Sequence, residues 1–400
     1  MSPMSGLLSI EEALRRVLER ATPLEPVSVP VAEAAGRFLA ADVRAGVDLP
    51  PFASSAMDGY ALQAADTPGR LPVVFRIAAG LPADRELASG EAMAISTGGA
   101  VPVGADSVVP IEIVVEKDNV LDVPALVGEG ANIRPVGGDV HAGDLLLTAG
   151  TQIGAAQIGA LAAAGVDEVM VAARPRVVVL STGTELRAPG ESLGPGQIYE
   201  SNAPMLAAAL ESAGAVVEQI GPVDDDEPEH RRALERGLEA DVLVSSGGVS
   251  VGPHDLVRRI LAELGVEENF WGVAVRPGKP LAFGTRGGTL VFGLPGNPVS
   301  ALVGIELFVR PALLALQGAR DPGPSYETAR LASPVRRNSS RDELARARTG
   351  RDAEGTVLEP VTGQESHMIA RAAAADALIL VPAGEGELAA GERVRYLRLR

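Results

Sequence analysis

Residues 241–255 read DVLVSSGGVSVGPHD. Val242, Leu243 and Val244 make the short apolar run of a strand buried on both faces. Residues 245–252 form a loop rich in glycine and hydroxyls. Asp255 opens a helical pattern, Leu256, Ile260, Leu261 and Leu264, which Gly265 closes. Backbone N–H groups in such a loop, and the helix N-terminus behind it, favour an anion, and glycine lets the backbone approach a ligand. A plain structural turn fits this stretch equally well when it is taken alone. Two later stretches shift the balance. RPGKP (276–280) follows an apolar run at 271–275. LPGNPV (294–299) follows another at 290–292 and enters a helix with Asn297 as N-cap and Pro298 at the first helical position. Three glycine-bearing loops at the carboxyl ends of strands are what a ligand crevice in an open α/β sheet requires.

Outward from these loops, strands are expected at 177–180, 216–220, 242–244, 272–275, 281–283 and 290–292. Helices are expected at 203–213, 227–238, 255–264 and 298–316. Strict alternation predicts a doubly wound α/β domain over 175–320, and Arg286-Gly287-Gly288 predicts a hairpin, hence one antiparallel edge. Ser9 with Glu12 is a capping-box pattern ahead of a first helix; residues 31–39 suggest a second. Short β-like runs at 73–78, 107–110 and 112–116, broken by Gly, Pro and Asp, predict an all-β insertion at 47–147. Residues 154–165 return to a helical pattern, so 1–46 and 148–174 read as one helical and linker domain carrying the insertion. Residues 321–400 read as a small β-barrel-like domain with a short helix near 366–374. Its last strand is imperfect, because Tyr396 and Leu397 are adjacent and the apolar phase shifts there.

Four hundred residues suggest more than one domain, and 46% hydrophobic residues supply ample core. Only 3% are aromatic, so that core is aliphatic. The absence of cysteine excludes disulfides, thiolate catalysis and Cys-ligated zinc, and suits a reducing cytoplasm. A formal charge of −17 disfavours nucleic acid and anionic membrane surfaces as partners. There is no signal-peptide pattern, and no uninterrupted apolar run reaches the ~20 residues of a bilayer span. A cytoplasmic chain with no membrane partner is expected.

Polar residues gather where the α/β strands end: Ser181-Thr182-Gly183-Thr184-Glu185, then Asp224-Asp225-Asp226, Asp255, Arg276 with Lys279, and Asn297. Parallel strands bring these groups to one edge. Carboxylates, cations and bare backbone N–H there suit a phosphate-bearing ligand with Mg2+. Each has a plainer reading: the aspartates as helix N-terminal residues or caps, Glu185 as a solvated loop residue. Lys279, pinned between Gly278 and Pro280, is hardest to read as plain surface. In the insertion, Asp58 with Gly59, Thr97 with Gly98, and Arg134 with Asp139 suit turns when taken singly. No Walker A loop or H-E-x-x-H occurs, and the four histidines are scattered. Residues 248–252, GVSVG, match the nucleophile-elbow pattern around Ser250, but the loop is long and no later histidine is well placed.

Assembled, these motifs resemble the molybdopterin molybdenumtransferase family, the MoeA-type proteins that include the E domain of gephyrin. The strings are Leu49-Pro50-Pro51-Phe52 with residues 55–61, Ser96-Thr97-Gly98, Asn132-Ile133-Arg134 through Asp139, Ser181-Thr182-Gly183 with Glu185-Leu186, residues 245–252 with Asp255, Pro277-Gly278-Lys279-Pro280, and residues 293–300. The likeness runs nearly end to end. It implies four domains and a homodimer whose cleft lies between the α/β domain of one subunit and the insertion of the other. The implied reaction inserts molybdate into adenylylated molybdopterin with Mg2+-dependent release of AMP.

Carried over by motif, Asp58, Thr97, Asp139, Glu185, Asp255 and Lys279 are the implied catalytic residues. Glu185, Asp225, Asp226 and Asp255 are the implied metal ligands. Arg134, Ser181, Thr182, Gly183, Ser246, Gly247, Gly248, Ser250, Gly252, Arg276, Pro277, Gly278, Pro295, Gly296, Asn297, Pro298, Arg346 and Ser366 are the implied substrate contacts. Four positions depart from the family pattern: Arg276 stands for lysine, Glu200 for aspartate or asparagine, Leu344 for an aromatic, and Gly138 for an acidic residue. Arginine keeps the charge but changes the hydrogen-bond geometry. Implied partners are a molybdopterin adenylyltransferase and molybdoenzyme apoproteins. Two other activities compete: a scaffold that binds the cofactor without turnover, and a molybdopterin adenylyltransferase.

Overall fold

The computed structural model describes residues 6–223, 226–247 and 256–399. They form two compact units. One holds residues 28–35 and 41–170; the other holds the chain through Val27, residues 36–40 and everything from Val171 onward.

The second unit is built on a six-stranded sheet. Its strands are β1 (Arg176–Thr182), β2 (Val216–Val223), β3 (Val242–Ser246), β4 (Glu267–Trp271), β5 (Ala282–Arg286) and β6 (Thr289–Leu294), in spatial order β2-β1-β3-β6-β5-β4. The first four positions are parallel, and β5 and β4 are antiparallel to their neighbours. Arg286 pairs with Thr289 across the expected hairpin, where Gly287 takes φ +57°.

The helices are α1 (Asn202–Ser212), α2 (Glu227–Gly237), α3 (Leu256–Glu263) and α4 (Pro298–Leu316). The continuous apolar strands are explained by burial on both faces. Val177, Val179, Val242, Val244 and Phe292 share a core with α1 and α4. Val178, Leu180, Leu243 and Val291 share another with α2 and α3. Among the described residues α4 is the helix long and apolar enough to cross a bilayer, but 83% of it is buried inside the protein. Its one acidic residue, Glu306, is paired with Arg310 at 2.8 Å.

Two expectations move. The fourth strand lies at Glu267–Trp271, not 272–275. Val275 and Arg276 instead pair with Asp342 and Glu343 of the C-terminal strand Asp342–Asp352. The first helix, Ile10–Leu18, leaves the expected helical domain: Ile10, Ala13 and Val17 enter the α/β core. Ser9 caps it, accepting from Glu12 N–H at 3.1 Å. The reciprocal half of the capping box is replaced, because the Glu12 carboxylate is held by Arg15 and Arg16, which pull its pKa down to about 2.

C-terminal strands Asp342–Asp352, Gly355–Pro360, Tyr326–Leu331, Arg393–Arg398 and Ala377–Val381 are successive neighbours, and the last pairs back to the first. They close a barrel. The phase shift at Tyr396 and Leu397 is physical: Tyr396 fills the barrel interior, while Leu397 faces the α/β core with Leu344, Leu378 and Leu380. Ala377–Val381 is buried along its whole length, so both its faces are covered.

In the other unit, the insertion sheet runs Ser107–Pro110, Gly59–Leu62, Ala92–Ile95, Gly69–Ile77, Val120–Val123, Val115–Lys117. The expected strand at 112–116 starts late. Pro110 cannot donate to a ladder, and Ile111–Ile113 make a single helical turn. The expected helix at 31–39 is only the turn Val31–Glu33, ended before Gly36 at φ +78°.

Candidate active site

Register aligns the carboxyl ends of the parallel strands: Ser181 pairs with Ser246, and Ser246 with Leu294. Beyond them lies a cavity of about 330 Å³. Thr182, Gly183, Glu185, Ser246, Gly247, Gly296 and Pro298, all singled out from sequence, line it together with Glu200, Asn202 and His230. Gly247 takes φ +92°, and a Cβ there would lie 3.2 Å from Thr182 O and Oγ1. Glycine is required because the strand ends converge so closely. Gly183 is constrained by its backbone, at φ +149°, and the Glu185 carboxylate folds to within 2.6 Å of where its Cβ would be. That carboxylate is exposed and has no hydrogen-bond or ion-pair partner among the described residues.

The lysine loop reaches the same edge by the antiparallel pair. Ala282 opens β5 opposite Gly293, at the carboxyl end of β6, so residues 272–281 connect β4 to β5 there. Gly278, at φ +111°, packs toward Ser300 O and Val303 of α4. The Lys279 carbonyl accepts from Val273 and Leu281, fixing its backbone while the side chain stays exposed. Arg276, expected at the ligand, forms an ion pair with the barrel's Glu343 at 3.5 Å. Burial pushes the Glu343 carboxyl up, and Arg276 and Arg341 pull it back.

Several other assignments change role. Asn297 occupies the N-cap position of α4, but its side chain makes no capping bond. The Ser366 carbonyl accepts the Val299 N–H at 3.1 Å instead. Arg346 is 1% exposed. Its guanidinium donates to the carbonyls of Met368 at 2.9 Å, Gly363 at 2.7 Å and Glu365 at 3.2 Å. It folds the Ser366 loop rather than facing a ligand. Ser181 is buried, its hydroxyl has no partner among the described residues, and it does not line the cavity. Asp226 caps α2, accepting from Glu229 N–H at 3.1 Å. Asp225, Gly248, Ser250, Gly252 and Asp255 lie outside the described residues. Pro277 and Pro295 frame their loops without lining the cavity.

Sequence reasoning missed three groups. Glu200, read only as a departure, is a buried cap: its Oε1 accepts from the N–H groups of Asn202 at 2.5 Å and Ala203 at 3.0 Å. A two-residue offset ahead of a helix was the available signal. Asn202 donates from Nδ2 to Ser246 Oγ at 2.7 Å and Gly296 O at 2.8 Å. His230, 1% exposed on α2, donates from Nδ1 to Asp226 O at 3.1 Å.

In the insertion, Asp58 accepts from Thr97 N–H at 2.6 Å and from Thr97 Oγ1 at 2.9 Å. These bonds hold its carboxyl below the usual range, the amide contributing most. Gly59 behind it has no alternative, since a Cβ would sit 2.0 Å from Val109 O. Arg134 extends from the strand Ile133–Arg134, paired with Ser54 and Ser55, and is exposed. The Asp139 amide donates to Leu49 O at 2.8 Å, and its carboxylate has no partner among the described residues.

Three family models match in succession: the MoeA N-terminal region, domains I and II, over residues 8–165; a probable molybdopterin-binding domain over 178–315; and the MoeA C-terminal region, domain IV, over 328–399. The chain is 38% identical to molybdopterin molybdenumtransferase 2 of Mycobacterium tuberculosis, covering 97% of this chain and 98% of that one. This chain belongs to the MoeA family. It is also 33% identical to the molybdopterin molybdenumtransferase of Haemophilus influenzae, with 97% and 98% covered. Its fold matches the MoeA structure from Pyrococcus horikoshii with a TM-score of 0.85 at 29% identity, over 98% of this chain and all of that one. The MoeA motifs thus divide between an exposed Asp58–Thr97 pair in the insertion and the cavity of the α/β domain.

Proposed function

We propose that this chain is a molybdopterin molybdenumtransferase, a transferase of molybdenum cofactor biosynthesis that inserts molybdate into adenylylated molybdopterin and releases AMP. The observation that carries this is the cavity at the carboxyl edge of β1, β3 and β6, lined by the family's own motif residues in a MoeA fold. The exposed Lys279, on its rigid loop, balances phosphate or molybdate charge. Bare glycine amides let the backbone approach the ligand.

Mg2+ fits this setting in a limited way. Among the described residues no three acidic or histidine side chains cluster as a metal site. Mg2+, however, is commonly held by one or two carboxylates plus substrate phosphates and water. The unpartnered Glu185 carboxylate is suited to that, whereas Asp226 is committed to α2. Bound Mg2+ would supply charge neutralisation at the phosphates. The reading also includes a homodimer in which Asp58, Thr97, Arg134 and Asp139 of one subunit serve the α/β cavity of the other. It is supported by the motif residues falling in two separate compact units. A cytoplasmic setting, with an adenylyltransferase supplying the substrate and molybdoenzyme apoproteins receiving the product, completes it.

The test is AMP release from adenylylated molybdopterin with Mg2+, with and without molybdate. Molybdate-dependent release is expected, and Asp255→Asn should abolish it. Tight binding without release would favour a scaffold instead, and ATP consumption with free molybdopterin would favour an adenylyltransferase.

A further inference from the structure

The barrel reaches the lysine loop through one buried carboxylate. Val275 and Arg276, early in that loop, run parallel to Asp342 and Glu343 of the barrel strand Asp342–Asp352. Residues opposite each other in a sheet share a face, so the Arg276 guanidinium and the Glu343 carboxylate lie side by side, 3.5 Å apart. Lys279 follows on the same loop.

The two partners are unequal. The Glu343 side chain is 10% exposed and the Arg276 side chain 48%. Their contact is longer than the about 2.7–2.9 Å of a charge-assisted hydrogen bond. The pair is loose, and the guanidinium keeps N–H donors turned to solvent. Burial works against the Glu343 charge, and Arg276 and Arg341 support it. Its other neighbours do not: Asp342 accepts from Ala383 N–H at 2.8 Å, and Val381, opposite on the next strand, is apolar. Drawing Arg276 away strands a buried carboxylate, and such a group favours its protonated form.

We propose that Glu343 is a positioning residue: it holds Arg276 at the lysine loop until an oxyanion takes the guanidinium, and its carboxylate then accepts a proton from solvent. Oxyanion binding is thereby linked to proton uptake, and the barrel sets the affinity of a site on the α/β domain. This rests on the reading above, in which the lysine loop meets the phosphate or molybdate of the reaction.

Calorimetric titration of the full chain with molybdate and, separately, with AMP distinguishes the two oxyanions. Each is run near neutral pH in two buffers of different ionisation enthalpy, which counts the protons taken up. Glu343→Gln keeps the side chain's size and removes its charge. It should bind one of the two anions at least about fivefold tighter than the wild type, and take up fewer protons, by up to about one. The anion's own protons cancel in that difference. Arg276→Ala should bind the same anion more weakly, and in that background the gain from Glu343→Gln should fall to within about twofold. If Glu343→Gln does not fold, the wild type and Arg276→Ala carry the test. The wild type should take up more protons, because Arg276→Ala strands the carboxylate before the anion arrives. An unchanged affinity or an unchanged proton count in Glu343→Gln overturns the inference, as does weaker binding. The proposed function stands in each case while wild-type AMP release persists. No binding of either anion overturns the inference, and absence of AMP release as well overturns both.

Discussion

In the insertion, Asp58 and Thr97 meet directly, through an amide and a hydroxyl that both donate to one carboxylate oxygen. In the α/β domain the motif residues scarcely touch each other. Glycines with positive φ, a helix cap and strand register bring them around a shared space. The first arrangement is a side-chain bond, exposed and locally repairable. The second is a backbone scaffold whose polar groups, Glu200 and Asn202, do structural work at the cavity wall. The difference is one of means: a side-chain bond places Asp58, whereas backbone geometry places the residues around the cavity.

The largest expected effect tests the backbone beneath the side-chain pair. Gly59→Ala places a methyl 2.0 Å from Val109 O. It should cost about 3 kcal/mol or more, lower the melting temperature and remove turnover. Normal stability would show that the insertion yields where the α/β scaffold would not. Lys279→Ala should reduce AMP release by about 10²–10³-fold with little change in thermal stability, because the side chain is exposed and unpaired among the described residues. A large loss of stability would make the lysine structural.

Arg346→Ala removes a buried guanidinium from three backbone carbonyls. A loss of about 3 kcal/mol is expected by denaturant titration, with weaker substrate binding as the Ser366 loop leaves α4. Unchanged stability with lost activity would return Arg346 to the ligand.

Thr97→Val removes one of the two donors to Asp58. The Asp58 carboxyl pKa, followed by NMR, should rise partway toward 3.8, because the amide remains. In the wild type this depressed pKa gives stability present above pH 3.8 and lost as pH falls through the folded value. No shift would mean that the amide acts alone. Glu200→Asp should be smallest, within about 1 kcal/mol, since aspartate is also a good cap. A greater loss would show that the longer side chain is needed to reach Asn202 and Ala203.

The α/β domain was legible because apolar runs of three or four residues alternate with 3.6-period stripes. Those patterns report burial, which neighbours of any kind produce. The fourth strand was misplaced for the same reason. Residues 267–271 are mixed and lie at the sheet edge, while the apolar residues at 273–275 are buried partly against the barrel. The site was legible where glycine and proline left fixed strings. It was illegible where function depends on which long-range partner a polar group finds, as with Glu200, Asn202, Arg276 and Arg346.

The sequence by itself therefore determined the kinds of element, the loops that carry the motifs, and the family. Periodicity and glycine placement are local constraints, written at short range along the chain. Only the tertiary structure decided that Arg276 faces Glu343, that Arg346 builds a loop, that Asp226 and Glu200 cap helices, and that Asn202 ties Ser246 to Gly296. A charged or amide side chain takes its role from whichever complementary group the fold brings within about 3 Å, and spacing along the chain does not encode that distance.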